Sequence, residues 1–328
     1  MDQNFMKEKK ILPLVISMSL PMVISMAVNS LYNIVDSYFV AKISENAMTA
    51  LSLVYPIQNL MTAIAVGFGV GMNARVAFCL GAGDKKQADQ AAVTGLLLGI
   101  LHGAALMVVC MLGMPKFLSL FTDNEEIIRM GLVYAKRAFL FSVIIMLGIS
   151  MEKIFQAVGR MKVSMISMMC GFISNIVLDP LMIFGIGPFP KMGVAGAALA
   201  TVIARYIEAL IVIIWAHMHR AKNRYLEGAY TGFGIPFAEL KAILVKGFPL
   251  MMNEVMWAAG MTTVTQCYSV RGLDVVAGLN IASTITNLFN IVYLQLGSCI
   301  SIVVGQYLGA GKLEEAKDAD NKMIIFSV

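Results

Sequence analysis

Eight stretches, near residues 11–38, 48–74, 91–114, 127–150, 163–186, 193–216, 242–268 and 275–306, are long runs dominated by Leu, Ile, Val, Met and Ala. A hydrocarbon layer about 30 Å thick needs roughly 20 mostly apolar residues per crossing helix, and each stretch meets that length. Barrel strands would instead alternate apolar and polar residues over about 10 positions. The expected fold class is therefore an all-α integral membrane protein, a polytopic helix bundle with eight complete transmembrane helices. Composition closes off the soluble alternatives, because only 14% of the 328 residues are charged and 59% are hydrophobic. A water-facing surface draws on about 25% charged residues. The same shortage excludes a disordered chain and a nucleic-acid-binding protein. Cys79, Cys110, Cys170, Cys267 and Cys299 are odd in number and form no C-x-x-C, so neither a disulfide frame nor a metal knuckle is indicated. Lys7, Lys9 and Lys10 imitate the start of a signal peptide. The following stretch is too long for one and lacks a small-residue cleavage site, so it reads as a retained helix.

Basic residues between the stretches set the orientation. Fifteen Lys and Arg fall on the side of the N-terminus, among them Lys7, Lys85, Lys86, Arg160, Arg220 and Lys312, against five on the other side. The N-terminus is expected in the cytoplasm, with the chain multi-pass in the plasma (inner) membrane. The basic segment H-M-H-R-A-K-N-R (217–224) then reads as a topology-setting loop rather than a nucleic-acid patch.

The chain also repeats itself. G-V-G-M-N-A-R-V-A-F-C-L-G-A-G-D-K-K-Q-A (69–88) aligns with G-S-C-I-S-I-V-V-G-Q-Y-L-G-A-G-K-L-E-E-A (297–316), an offset of 228 residues. At that offset Pro21 meets Pro249, Leu51 meets Leu279, Ile57 meets Ile285 and Asn59 meets Asn287. The unit holds six helices, an even number, so both copies enter from the same side and are related by an axis along the membrane normal. Three segments are expected: a six-helix lobe over 1–216, a cytoplasmic linker over 217–240, and an incomplete second lobe over 241–328, with Met323–Val328 opening a ninth helix. The repeat predicts a fragment of a twelve-helix protein with two six-helix lobes.

Carboxylates cost roughly 2.5–3.5 kcal/mol each at the centre of a bilayer on insertion scales, so acids inside spans are functional candidates. The first stretch carries Asn29, Tyr32, Asn33 and Asp36 on one helical face, and the fifth carries Asn175 and Asp179 at i, i+4. Two carboxylates with amide and phenol oxygens suit a hard monovalent cation or a shared proton. The competing reading sets Asp36 and Asp179 at outer helix ends, since Asp179 precedes Pro180, where helices often stop. Pro21 removes a backbone hydrogen bond from the first helix and permits a bend. Glu254 lies inside the seventh stretch, Arg205 and Glu208 read as an intrahelical pair, and His102 reads as a packing residue. G-F-G-V-G (67–71) follows a helix rather than a strand, so it reads as close helix packing and not as a phosphate cradle.

Y-N-I-V-D-S-Y-F-V (32–40), L-G-A-G-D-K-K-Q-A (80–88), I-S-N-I-V-L-D-P-L (173–181), G-V-A-G-A-A-L-A-T (193–201) and L-G-A-G-K-L-E-E-A (308–316) together resemble the multidrug and toxic compound extrusion (MATE) family, prokaryotic branch. The resemblance implies two six-helix lobes forming a V around a cavity. It implies an antiporter, not an enzyme, that exchanges H⁺ or Na⁺ for small organic, often cationic, compounds by alternating access. It implies a cation site of Asp36 and Asp179 supported by Tyr32, Asn175 and Thr201, with Asn29 on the same wall. It also implies a functional bend at Pro21 and a second-lobe acid at Glu254. No cofactor is expected, no metal beyond Na⁺ at that site, no partner beyond substrate and lipid, and a monomer. The alternatives are a lipid-linked oligosaccharide flippase of the same superfamily and an inactive fragment. A polytopic membrane enzyme is disfavoured, because the sequence shows no nucleophile–base or metal constellation.

Overall fold

The computed structural model describes residues 11–220, 223, 236–269 and 273–327. Lys7, Lys9, Lys10, most of the 217–240 segment and the Asn33 side chain lie outside the described residues. Among the described residues the chain forms ten helices and no strand. They are α1 (Ile11–Ala41), α2 (Glu45–Gly81), α3 (Lys85–Ser119), α4 (Glu125–Leu140), α5 (Ser142–Ala157), α6 (Met161–Phe184), α7 (Val194–Met218), α8 (Phe237–Ser269), α9 (Leu273–Gly309) and α10 (Leu313–Ser327).

Local chemistry fixes several of these boundaries. Ser44 Oγ accepts from Ala47 N at 3.1 Å to open α2, and Asp84 Oδ1 accepts from Gln87 N at 2.9 Å to open α3. Asn124 Oδ1 accepts from Glu126 N at 3.0 Å to open α4. Each cap satisfies an amide that the first helical turn leaves without an intrahelical partner. Gly185, with φ of 75°, closes α6 in the left-handed conformation.

Three details differ from the expected eight spans and the beginning of a ninth. The stretch over 127–150 is not one rod, because α4 and α5 meet at Phe141 with a bend of 50°. There Ser142 Oγ donates to the carbonyls of Phe139 (2.8 Å) and, on α3, Gly103 (3.1 Å). A side chain that engages backbone carbonyls in this way competes with the helical ladder. Among the described residues, six helices are long and apolar enough to cross a membrane, or seven with the bent pair counted as one. The stretch over 242–268 lies inside the 33-residue α8, which is not among the seven. The last helix starts at Leu313 rather than Met323. Glu314 and Glu315 in its first turn suit the positive end of a helix, a signal that apolar length alone does not register.

Short turns make successive spans run in opposite directions. The two L-G-A-G turns therefore share one end of the bundle, called here the turn end; α1, α3 and α6 finish at the far end. The turns have the same hydrogen bonds at the 228-residue offset. Ala82 N donates to Phe78 O at 3.0 Å and Ala310 N to Gln306 O at 3.0 Å. Asp84 N donates to Cys79 O at 3.0 Å and Lys312 N to Tyr307 O at 3.0 Å. Gly83 and Gly311 both need positive φ, 77° and 71°, which glycine adopts without steric cost.

The core divides into tiers. Near the turn end Met72, Val76, Leu96, Phe155, Val212 and Ile243 join α2, α3, α5, α7 and α8. Near the far end Val40, Leu51, Leu118, Tyr134, Phe139 and Ala197 close the bundle around α4. A separate seam of Leu14, Met18, Met22, Cys299, Ile302 and Val303 packs α1 on α9. Helix α1 also packs on α6, and α6 on α7. That α1–α6–α7 layer carries the polar side chains.

Candidate cation-binding site

Asp36 lies five residues from the end of α1 and Asp179 five from the end of α6, while Thr201 lies seven into α7. At about 1.5 Å rise per residue, all three fall at nearly the same depth in the far half of the bundle. Pro180 does not end α6, which runs on to Phe184, so Asp179 is inside the helix. Asp179 is 0% exposed, Asn175 0% and Asp36 6%. The carboxylates therefore sit in the protein interior, not dangling at helix ends.

The spacing works as helical geometry requires. Tyr32 and Asp36 are i, i+4 on α1, Asn175 and Asp179 are i, i+4 on α6, and each pair shares a face. Asn175 Nδ2 donates to Asp179 Oδ1 at 3.2 Å. Asp36 lies close enough to Asp179 for its charge to be felt there. Thr201 approaches the Tyr32 and Tyr134 phenols from α7. Tyr32 Oη, Asp36 Oδ1, Asn175 Oδ1, Asp179 Oδ2 and Thr201 Oγ1 are buried without a hydrogen-bond partner among the described residues. An unsatisfied buried polar group costs about 1–3 kcal/mol, and a proton or a cation is one partner that would satisfy the carboxylate and amide acceptors among these oxygens. Carboxylate, amide and hydroxyl oxygens are hard donors, which suit a hard cation or a proton.

Two neighbours of these residues are not among those expected from the sequence. Tyr134 on α4 is 2% exposed, interacts electrostatically with Asp36 and Asp179, and accepts from Gln58 Nε2 of α2 at 3.5 Å. The signal for Tyr134 was the inward face of its helix, where Ile127, Gly131, Tyr134, Ala135 and Ala138 recur at helical spacing. Gln58 gives no such signal, because it stands in a run of otherwise ordinary span residues.

Asn29, expected on the same wall, and the separately expected bend residue and second-lobe acid lie away from the two carboxylates. Asn29 is one turn below Tyr32, where its Oδ1 accepts from Arg205 Nη2 at 3.0 Å. Pro21 lies inside α1 nearer the turn end, and Ser25 Oγ donates to its carbonyl at 2.8 Å. Glu254 is half-buried on α8, which packs chiefly against α2, so the structure does not bring it into the pocket.

A polytopic helical bundle that buries two carboxylates inside its spans defines the class, an integral membrane protein. The MatE family model matches residues 21–181 and 249–328, its second match starting at the repeat offset, and the chain belongs to the MATE family. It is 25% identical over 308 residues to the FAD transporter of Shewanella oneidensis, covering 93% of this chain and 67% of that one. It is 28% identical over 240 residues to multidrug export protein MepA of Staphylococcus aureus, covering 73% of this chain and 51% of the relative. The chain thus spans about half the length of MepA. Among solved structures, an outward-facing multidrug resistance MATE family transporter of the MOP superfamily aligns with a TM-score of 0.88 at 25% identity, over 99% of this chain and 71% of that one. A MATE protein in the straight conformation aligns at 0.90 and 26% identity, over 100% of this chain and 72% of that one.

Proposed function

We propose that this chain works in a cation-coupled antiporter that exports small organic compounds, and that Asp36 and Asp179 hold the coupling H⁺ or Na⁺. The reading rests on one observation, five buried oxygens without a hydrogen-bond partner on α1, α6 and α7, two of them carboxylate oxygens of Asp36 and Asp179. Tyr32, Asn175, Thr201 and Tyr134 supply neutral oxygens beside the acids. A cation entering from the far end meets this pocket first, and its occupancy changes the charge between α1 and α6. Coupling requires that the pocket bind the cation with different affinity in the two access states. In this proposal the N-terminus and both L-G-A-G turns face the cytoplasm, the far end faces outside, and the repeat copies form two lobes that rock about a cavity. Relatives named for multidrug export support organic substrates.

A second reading is export of an anionic, flavin-dinucleotide-like compound. It is favoured by the name of the S. oneidensis relative, an FAD transporter.

The test is cation-gradient-driven ethidium export by proteoliposomes of the full-length protein. Asp36→Asn is expected to abolish export while leaving membrane insertion intact, and wild-type export by that variant would refute the assignment. Competition by FAD in place of ethidium would favour the second reading.

A further inference from the structure

Arg205 stands one helical turn beyond Thr201 on α7, deeper in the bundle than the two acids. Its Nη1 donates to Glu208 Oε2 at 2.9 Å and its Nη2 to Asn29 Oδ1 at 3.0 Å. The guanidinium carbon lies 4.9 Å from the centroid of the Tyr32 ring. Asn29 and Tyr32 are i, i+3 on α1 and therefore neighbours on one face. One guanidinium thus grips α1 at two adjacent points, by a hydrogen bond to Asn29 and by a cation–π contact with the Tyr32 ring, whose hydroxyl end belongs to the cation pocket.

The grip is itself anchored. Ser167 Oγ of α6 donates to the Glu208 backbone carbonyl at 2.7 Å, and Gly171 leaves the space that the Glu208 side chain fills. Glu152 of α5 adds a second negative charge within range of Arg205 and Glu208. Arg205 therefore stays charged inside the bundle with its partners spread over α1, α5 and α7. A lysine could carry that charge, but it has neither the planar fork nor the flat stacking face.

We infer that Arg205 is a positioning residue for cation coupling, which fixes the height and rotation of α1 against α7 and so sets Tyr32 and Asp36 opposite Thr201 and Asp179. Any movement of α1 away from α7 breaks the Arg205–Asn29 bond and uncovers the Tyr32 ring. The cation pocket and the α1 position are then linked through one side chain. The inference rests on the coupled-transport reading above, and the experiment separates the two.

Arg205→Lys, Arg205→Met and Asn29→Ala are compared with the wild type in proteoliposomes of the full-length protein, with Na⁺ and H⁺ varied separately. The titratable groups around the grip and the pocket are Asp36, Tyr32, Tyr134, Asp179, Glu208 and Glu152, and all remain in these variants. Arg205→Lys and Arg205→Met are expected to raise the half-saturating cation concentration about tenfold, the consequence of one lost charge-assisted hydrogen bond. Asn29→Ala is expected to shift it in the same direction by less. Drug affinity, read by fluorescence polarisation, should stay within about twofold, the split between cation and substrate terms that a general folding defect does not produce. Because Arg205→Met leaves Glu208 without its partner, Arg205→Met/Glu208→Gln is the folding control. That variant is expected to insert normally and to keep the raised cation requirement. Wild-type cation half-saturation in Arg205→Lys, or its return in the double variant, would overturn the inference while leaving coupled transport standing. Absence of any cation dependence in the wild type would overturn both.

Discussion

Gly81 and Gly309 occupy the same place in the two copies of the repeat, and each lies against the backbone of the other copy. Gly81 sits against the carbonyl of Gln306, and Gly309 against the carbonyl of Phe78. Phe78 and Gln306 are themselves related by the 228-residue offset. The contact is self-complementary in the way that a two-fold interface between identical subunits is, here made within one chain. A methyl group on either glycine would collide with a carbonyl, which cannot rotate away as a side chain can. Gly81→Ala and Gly309→Ala are expected to cost about 1–3 kcal/mol each, the range for an overpacked site, seen as a lowered melting temperature in detergent. Gly113 on α3 has open space around the position of its missing Cβ, and Gly113→Ala should leave stability unchanged or slightly raised. Equal losses at all three positions would show that close approach is not what Gly81 and Gly309 are for.

Arg75 and Glu239 close the same turn end by charge. Arg75 Nη2 lies 2.6 Å from Glu239 Oε1, Nε donates to Oε2 at 2.9 Å, and Gln87 Oε1 accepts from Nη2 at 3.0 Å. The bidentate pair joins α2 to the first turn of α8, and the Glu239 side chain is only 7% exposed. Arg75→Gln leaves a buried carboxylate without its partner, for which a loss of about 3 kcal/mol is expected. Arg75→Gln/Glu239→Gln should recover much of that loss, since no isolated charge remains. Denaturation of the three variants in one detergent settles it, and additive losses in the double variant would mean the pair does not interact.

The class of fold was legible because lipid imposes the plainest rule on sequence, a run of apolar residues long enough to cross it. The turns were legible because Leu80-Gly81-Ala82-Gly83 recurs as Leu308-Gly309-Ala310-Gly311, and identical backbone demands produced identical residues. Asp36, Tyr32, Asn175 and Asp179 could be paired within each helix, since i, i+4 spacing fixes a shared face. Nothing in the spacing said which face of α6 meets which face of α1, and that depends on packing across the chain. The same gap hid Tyr134 and Gln58, which reach the pocket from α4 and α2. It also set Asn29 beside the acids on its own helix, whereas the partner it found, Arg205, comes from another. The break at Phe141 escaped notice because a hydroxyl bonding to carbonyls leaves no mark in hydropathy.

Glu254 provides a contrast with the pocket acids. Its helix packs chiefly on α2, away from the α1–α6–α7 layer. Glu254→Gln is expected to leave the cation half-saturation of transport within about twofold of wild type, the size of change ordinary for a group that touches no bound ion. A tenfold shift, measured beside Asp179→Asn, would instead require Glu254 to act on the same cation.

Tyr134 tests whether the pocket extends beyond the acids. Its hydroxyl lies in the field of Asp36 and Asp179 and beside Thr201, with Gln58 as its donor. Tyr134→Phe removes the oxygen and keeps the ring that fills the far-end core, so stability should change by less than about 1 kcal/mol. If the phenol oxygen helps hold the cation, the half-saturating concentration rises about five- to tenfold, the value of one neutral hydrogen-bond-strength contact. Thr201→Val removes the neighbouring hydroxyl at nearly constant volume. Because both oxygens serve one ligand, the double variant should depart from the sum of the single effects, as contacting sites do. The measurement is cation titration of efflux in proteoliposomes for the four proteins. Strict additivity, or no shift in Tyr134→Phe, would confine the site to the oxygens of α1, α6 and α7.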